Sequence, residues 1–282
     1  MLKKLQSTFV VFIALAAFVC PAQKQKQLKR ELSHLPPAVQ ETVRGQLGDG
    51  RLDSIDKDSE DGEVSYDVEF VRNGKERGFT VGSEGELQEL EVFSNELPKA
   101  VQQTIQKQVG SGILGEIEKS SEDGEPSYDV EMTRDGKTRN FTVGARGELV
   151  DIEVFLSELP ASVQTAMQKQ AGEDKLGEIT KCFDDEGGTF DVEVAGARQN
   201  RTLSFDTQGQ LLSTEEDVEI SNTPESVQKQ IKVVVGAGKL LGISKVTEDD
   251  GVSYDVGIGN GGDEKTVSIS SDGKVMPDEG SK

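Results

Sequence analysis

The sequence has little of what most enzymes and large globular cores depend on. Its 282 residues include no Trp and one His, 5% are aromatic and only 34% are hydrophobic. Burial of apolar side chains drives folding, so this composition is thin for one large core and favours several small ones. The single histidine, His34, leaves no second imidazole for a histidine-based metal site, and a Ser–His–acid triad would have to use this one residue in a polar segment. We therefore interpret His34 as a solvated residue in a polar segment.

Positive charge is also scarce, with 31 Lys and Arg against 52 Asp and Glu, which gives a formal net charge of −21. Such a chain is repelled by the phosphates of nucleic acids and by anionic membrane surfaces. We therefore predict no nucleic-acid partner. The negative charge keeps the protein soluble and favours basic partners or cations.

Long apolar runs are absent except at the N-terminus, where Lys3 precedes an apolar stretch over residues 9–19. A basic start, a short apolar core and small residues up to Ala22 are typical of a secretory signal peptide, which we assign to residues 1–22. The run is too short for a stable membrane span. A lipoprotein signal centred on Cys20 is the alternative, but Val19 stands where such signals carry a small residue. We favour cleavage near Ala22 and a secreted or periplasmic location.

Cysteine is limited to Cys20 and Cys182, so cleavage at Ala22 would leave one cysteine in the mature chain. A lone cysteine forms no intrachain disulfide. Cys182 lies in a strand-like segment without a nearby histidine, and we interpret it as a small buried or half-buried residue rather than a reactive thiol. Residues 23–34 are polar and basic, and we predict a flexible polar linker there.

What the chain does have is an internal repeat. Two sets of landmark residues recur at the same separations of 62, 62 and 64 residues. They are Pro36, Pro98, Pro160 and Pro224, and Tyr66, Tyr128, Phe190 and Tyr254. Two independent markers in one register predict tandem repeats. We assign repeats to residues 35–96, 97–158, 159–222 and 223–282, the last of which is truncated.

Each repeat has the pattern of a helix followed by a meander of strands. In the second repeat Val101, Ile105 and Val109 are spaced i, i+4, i+8, which gives one apolar helix stripe, and Gly110 falls where the helix should stop. Tyr128 begins an alternation of apolar and polar residues that is typical of a half-buried strand. The predicted fold class is α+β: tandem repeats of one helix packed on a four-stranded antiparallel meander sheet.

The second repeat also carries a family resemblance, closest at Pro126-Ser127-Tyr128. The pattern LP-x-x-V, an aliphatic pair, SYDVE, a DGK turn and FTV-x-x-x-GEL resembles the PepSY and PepSY-like (beta-lactamase-inhibitor-like) families. The resemblance covers nearly all of residues 35–282 as four tandem copies. It implies an envelope or secreted protein without its own chemistry, because relatives are thought to bind or restrain other proteins, including peptidases.

Acidic residues alternate with the apolar residues of the predicted strands. If the tyrosines face the helix, these carboxylates face away from it: Asp67, Glu69, Asp129, Glu131, Asp191 and Glu193. Glu91 and Glu153 are expected to join them, with Arg77 and Arg139 interleaved. A solvated face is the ordinary interpretation, because antiparallel sheets often leave one side wet. The functional interpretation is a repeated acidic surface for a basic protein partner.

A calcium loop is suggested by the acidic residues that precede Gly62, including Asp56, Asp58 and Asp61. The glycine is one place late for such a loop, and Asp and Gly belong in hairpin turns in any case. We favour a charged turn, with no metal or other cofactor.

These observations predict an exported, non-catalytic, protein-binding array, such as an inhibitor or regulator of an envelope or secreted enzyme, for example a peptidase. No residues form a credible nucleophile–base set. The alternative is an acidic structural or calcium-binding repeat protein of the bacterial cell envelope.

Overall fold

A computed structural model describes residues 21–60, 63–122, 125–184, 187–196, 200–260 and 263–277. Residues 1–20 of the predicted signal peptide, and Asp61 and Gly62 of the suggested calcium loop, lie outside this part of the chain. The chain divides into an N-terminal unit, Met1–Gly85, and a C-terminal unit, Glu86–Lys282. In total the described residues form five α-helices and fifteen β-strands.

The N-terminal unit has two helices and three strands. They are α1 (Pro21–Leu32), α2 (Pro37–Leu47), β1 (Arg51–Glu60), β2 (Glu63–Arg72) and β3 (Lys75–Gly82). Strand β2 pairs antiparallel with both β1 and β3. Asn73 and Gly74 join β2 to β3 with φ values of 55° and 76°. Two successive positive φ values are typical of the type I′ turn that matches the twist of a hairpin.

Helix α2 packs its apolar stripe on the sheet of this unit. Val39 and Val43 are fully buried, as are Val68 and Val81 on the strands. Removing such side chains from water stabilises the fold by about 1.5–3 kcal/mol each. The core therefore lies on one face of the sheet, and the other face carries the polar residues of the strands.

The polar linker predicted for residues 23–34 is wrong, because α1 covers most of this segment. Leu28 and Leu32, one helical turn apart, are only 6% and 8% exposed. The Nε2 of Gln25 donates a hydrogen bond of 2.6 Å to the backbone oxygen of Leu52, and Lys24 Nζ lies 3.3 Å from Asp53 Oδ1. The segment has only these two apolar anchors, so its composition alone suggests a solvated chain.

The C-terminal unit has three helices and twelve strands. The helices are α3 (Lys99–Val109), α4 (Ala161–Ala171) and α5 (Glu225–Val235). The strands are β4 (Leu87–Glu91), β5 (Ile113–Glu122), β6 (Glu125–Arg134), β7 (Lys137–Gly144), β8 (Leu149–Glu153), β9 (Lys175–Cys182), β10 (Thr189–Ala195), β11 (Asn200–Asp206), β12 (Leu211–Asp217), β13 (Lys239–Glu248), β14 (Gly251–Asn260) and β15 (Asp263–Ser270). Within this unit the strands pair in chain order, and every pair is antiparallel.

Each helix of this unit starts after a proline and ends at a glycine. The glycines Gly110, Gly172 and Gly236 have φ values of 56°, 65° and 54°. Glycine reaches this left-handed region without a Cβ penalty, which makes it the ordinary residue for ending a helix. The helix end predicted at Gly110 is confirmed.

Three hydrophobic clusters fill the space between the helices and the sheet. The stripe of α3 packs with Tyr128, Val130, Met132, Phe141 and Val143. The stripe of α4 packs with Phe190, Val192, Val194, Leu203 and Phe205, and that of α5 with Tyr254, Val256, Ile258 and Ile269. The apolar stripe predicted for α3 and the inward-facing tyrosine of β6 are therefore confirmed as parts of one core.

Candidate binding surface

The acidic residues predicted to face away from the helices lie on the sheet face opposite the core. In the C-terminal unit Asp129 and Glu131 alternate along β6 with the buried Tyr128, Val130 and Met132. We call this side of the sheet the acidic face of each unit. It carries Asp129, Glu131, Asp191 and Glu193 in the C-terminal unit, and Asp67 and Glu69 in the N-terminal unit.

The aspartates of the acidic face are held within the sheet. Each accepts a hydrogen bond from a hydroxyl group on the next strand, 13 residues further along the chain. The pairs are Thr80–Asp67 at 2.9 Å, Thr142–Asp129 at 2.7 Å and Ser204–Asp191 at 2.6 Å, and Ser268–Asp255 repeats the contact at 2.6 Å. Asp191 is only 9% exposed. A half-buried carboxylate needs such a partner to offset the loss of water.

The glutamates, in contrast, are exposed. Glu69, Glu131 and Glu193 each follow their aspartate by two positions and reach solvent. Glu131 lies across Gly115 of β5, where an added Cβ would stand 2.6 Å from Glu131 Oε1. The glutamates are therefore the predicted site residues that a partner can contact most directly, and the aspartates support the surface beneath them.

The two arginines expected among these carboxylates lie on the other side of the sheet. Arg139 pairs in register with Met132, and Arg77 pairs with Phe70, so both share the face of buried apolar residues. The prediction that they interleave with the acids is wrong. Counting positions from the acidic residues across a hairpin does not give the face, because the register between two strands decides it.

Arg139 has a structural role on the core side of the C-terminal unit. Only 5% of the residue is exposed, and its two terminal nitrogens donate to Glu158 at 2.8 and 3.1 Å. The guanidinium lies 4.7 Å from the ring centre of Phe155. Hydrogen bonds from Arg139 are the main reason that the pKa of Glu158 is lowered. This contact fixes the short 3-10 turn Leu156–Glu158, which leads from β8 into α4.

Sequence reasoning missed Glu118, the residue of the acidic face with the most unusual electrostatics. The strand registers place it directly between Glu91 on β4 and Asp129 on β6. Burial is the main cause that raises the pKa of Glu118 to about 7, and the charges of Glu89, Glu116, Asp129 and Glu91 add to the effect. Comparing the repeats gives a partial signal, because Asp56 stands at the corresponding position of the first repeat but Thr180 and Ser244 stand at those of the third and fourth.

Cys182 is half-buried at the end of β9, and its Sγ donates to Asp191 Oδ2 at 3.4 Å. Burial, followed by the nearby charge of Asp191, raises the pKa of the thiol to about 12. The thiolate is the nucleophilic form, so a raised pKa disfavours a reactive thiol at neutral pH. The interpretation of Cys182 as a structural residue agrees with this environment.

His34 is exposed in the turn that follows α1. In the part of the chain that the structure describes, no group of three or more His, Cys, Asp or Glu residues is arranged to hold a metal ion. Nor does any helix there combine the length and hydropathy that crossing a membrane requires.

Comparison with known proteins identifies similar sequences and folds. A family model described as "Putative beta-lactamase-inhibitor-like, PepSY-like" matches residues 64–137 and 188–276, together more than half of the chain. No curated protein matches the sequence.

Several solved structures are similar to part of the chain. A DUF2874 family protein from Bacteroides uniformis is 16% identical with a TM-score of 0.37, over 42% of this chain and 86% of that one. A BLIP-like protein from Bacteroides fragilis is 18% identical with a TM-score of 0.34, over 46% and 90%. A protein from Bacteroides vulgatus, described as a "putative periplasmic protein of unknown function", is 20% identical with a TM-score of 0.31, over 45% and 98%.

Proposed function

The chain belongs to the PepSY-like, beta-lactamase-inhibitor-like family, and from this premise we propose that it is an exported, non-catalytic protein that binds another protein. The partner is an envelope or secreted enzyme, such as a peptidase, that presents a basic surface. Binding would inhibit or regulate that enzyme. The predicted signal peptide at residues 1–22 supports export.

The proposed architecture is four tandem PepSY-like repeats, over residues 35–96, 97–158, 159–222 and 223–282. Two observations support it. Helices α2, α3, α4 and α5 are each followed by a run of antiparallel strands. The hydroxyl–aspartate hydrogen bond also recurs four times, at Asp67, Asp129, Asp191 and Asp255. A contact that recurs at the repeat spacing is expected if the four repeats share one fold.

The observation that carries the binding proposal is the construction of the acidic face. Its exposed glutamates, Glu131 and Glu193, stand on strands whose aspartates are fixed by hydrogen bonds to the next strand. A stiff surface loses little conformational entropy when a partner binds. Its negative charge also speeds the encounter with a basic partner and disfavours acidic ones.

A non-enzymatic role is supported by the state of the candidate nucleophile and base. Cys182 has its pKa raised to about 12, and His34 is exposed on the turn that follows α1. Catalysis by a thiol needs a lowered pKa and a nearby base. The raised pKa of Cys182 is opposite to the first requirement.

The proposal is tested by crosslinking capture from native envelope, with the mature chain as bait. The charge-reversed variant Glu131→Lys/Glu193→Lys is compared with Glu173→Lys/Glu225→Lys, which changes the charge equally at two exposed residues, one just after α4 and the other at the first position of α5. We expect the wild type and the helix-side variant to capture the same saturable partner, and the face variant to bind it about tenfold more weakly or worse. Absence of a saturable partner, or equal capture by both variants, would contradict the proposal.

The alternative of a calcium-binding array is supported by the excess of 52 Asp and Glu over 31 Lys and Arg, although no acidic cluster among the described residues is arranged to hold a metal ion. Calorimetry with Ca²⁺ separates the two functions. Binding heat and a raised melting temperature would favour the alternative, and the absence of both would exclude it.

A further inference from the structure

Three strands of the C-terminal unit have one edge covered by the strand that precedes them in the chain. Strand β5 is covered by β4, β9 by β8 and β13 by β12. The same backbone hydrogen bond extends each pairing at 2.8 Å: Val92 to Ile117, Val154 to Ile179 and Val218 to Ile243. Beyond it, Lys119, Lys181 and Lys245 each face a residue of the covering strand.

Strand β1 of the N-terminal unit repeats this sequence pattern, with Ile55 and Lys57 at the corresponding positions. Among the described residues, β1 pairs with β2 and with no other strand. Asp56, Lys57 and Asp58 are accordingly exposed, whereas residues 118–120, 180–182 and 244–246 are all half-buried. The position that is covered in β5, β9 and β13 is therefore uncovered in β1.

The backbone of β1 presents hydrogen-bonding groups at this edge. The carbonyl of Ile117 accepts from Val92, so the peptide groups of Ile117 and Lys119 point toward the covering strand. The same alternation along β1 directs the N–H and C=O groups of Ile55 and Lys57 away from β2. An uncovered row of such groups is a ready template for another strand.

Helix α1 protects only the beginning of β1. Gln25 bonds the carbonyl of Leu52, and Lys24 pairs with Asp53. Leu52 is 5% exposed, whereas its counterpart Leu114 is 37% exposed. The contacts of α1 with β1 backbone and charges thus stop short of Ile55, where the uncovered stretch begins.

The side chains around this stretch define what can lie beside it. Asp56 and Asp58 flank the edge on the acidic face, and Asp67 faces Asp56 from β2. Burial is the main cause of the raised pKa of Asp67, the hydrogen bond from Thr80 opposes it, and the charges of Asp58 and Asp56 raise it further. Cationic side chains on an added strand would relieve this repulsion.

The opposite side of the edge favours apolar residues. In the covered strands Lys119 and Lys181 pair in register with Leu90 and Ile152, whereas Lys245 pairs with Glu216. Lys57 holds the corresponding place in β1. A strand that alternates basic and apolar residues would therefore match both sides of the edge.

We propose that the edge of β1 from Ile55 to Asp58 binds an extended segment of a partner protein, rich in alternating basic and apolar residues, as an added antiparallel strand. The inference rests on the proposed function only in that the occupant is a protein. It assigns a second contact, separate from the exposed glutamates of the acidic face.

The test uses the mature chain and a synthetic peptide of alternating lysine and valine. Lys57→Pro removes one outward N–H group, and Lys57→Ala is the matched control that keeps it. We expect the peptide to bind wild type and Lys57→Ala within about twofold, and Lys57→Pro about tenfold more weakly. Hydrogen–deuterium exchange should show slower exchange of the Ile55 and Lys57 amides when the peptide is present.

A peptide of the same composition with its lysines and valines in two blocks, and one N-methylated at alternate residues, test the strand geometry without altering the protein. Both should bind at least about tenfold more weakly than the alternating peptide. Equal binding of the block peptide, or unchanged exchange at Ile55 and Lys57, would overturn the inference. Peptide binding should persist in Glu131→Lys/Glu193→Lys, so failure at the edge is distinguishable from failure of the acidic face.

Discussion

Glu118 shows how one residue can change the electrostatics of a strand pair that is otherwise built alike. At three strand pairs of the C-terminal unit an acid on the earlier strand faces the same position on the later one: Glu91 faces Glu118, Glu153 faces Thr180 and Asp217 faces Ser244. Ser244 lies 3.4 Å from Asp217 as a hydrogen-bond donor. A hydroxyl thus supports the acid at one pair, whereas at the first pair two carboxylates oppose each other, which is destabilising.

Replacing Glu118 by threonine should stabilise the protein above neutral pH. In the folded state the pKa of Glu118 is raised to about 7 from its ordinary value of 4.5. Ionisation therefore costs stability, and the cost grows as the pH rises from about 4.5 to about 7. After allowance for partial solvent exposure, we expect Glu118→Thr to gain on the order of 1 kcal/mol at pH about 8 and nearly nothing at pH about 4. Melting curves at both pH values measure the difference.

The matched variant is Thr180→Glu, which creates the opposed carboxylates at the β8–β9 pair, where Glu153 already faces this position. It should lower the melting temperature by a few degrees at pH about 8 and by less at pH about 4. A gain from Glu118→Thr of equal size at both pH values would show that the glutamate acts through packing rather than charge.

The sequence predicted part of the candidate site. Alternation with buried apolar residues correctly placed Asp129 and Glu131 on one face, because successive side chains of a strand point to opposite sides. The alternation could not distinguish the hydrogen-bonded Asp129 from the exposed Glu131. Asp129 is held by Thr142, 13 residues away on the next strand, and only the register between the strands brings that hydroxyl to it.

Among the helices, α1 was the least predictable from its local sequence. Eight of the 12 residues of this helix are polar or charged, so its apolar periodicity rests on two positions, Leu28 and Leu32. Helices α2 to α5 have longer apolar stripes and end at glycines, and both patterns predict a helix from the sequence. The stability of α1 comes from packing against the folded unit, which a reading of the segment by itself does not include.

Leu28→Ala should therefore destabilise the N-terminal unit. Leu28 is 6% exposed, and truncation of a buried leucine removes apolar contacts and leaves a cavity that costs about 2–3 kcal/mol. The control is Gln27→Ala on the solvent side of α1, whose amide donates a hydrogen bond to the exposed Glu31 and whose loss should cost less than about 0.5 kcal/mol. Hydrogen exchange of residues 51–60 reports the effect, since α1 contacts β1. Similar exchange in the two variants would mean that α1 does not stabilise the strand.

Over the chain as a whole, the features that the sequence predicted best are those indicated by patterns that recur along it. The helix–strand composition, the turns and the inward tyrosines follow from patterns written several times. The uncovered edge of β1 was not predictable in this way. Ile55 and Lys57 stand in a local sequence similar to that of Ile117 and Lys119, and the structural difference between them is whether another strand lies beside them.

The net charge of −21 makes a prediction for the full chain. Carboxylates that face one another, such as Glu91 and Glu118, repel at neutral pH, and salt screens this repulsion within a Debye length of about 10 Å at 0.1 M. Raising NaCl from about 20 mM to about 300 mM at pH about 7.5 should therefore raise the melting temperature by a few degrees. The increase should shrink at pH about 4.5, where many carboxylates are protonated. Calorimetric melting at the four conditions measures both slopes. A melting temperature that falls with salt at pH about 7.5 would show instead that ion pairs such as Arg139–Glu158 outweigh the repulsion.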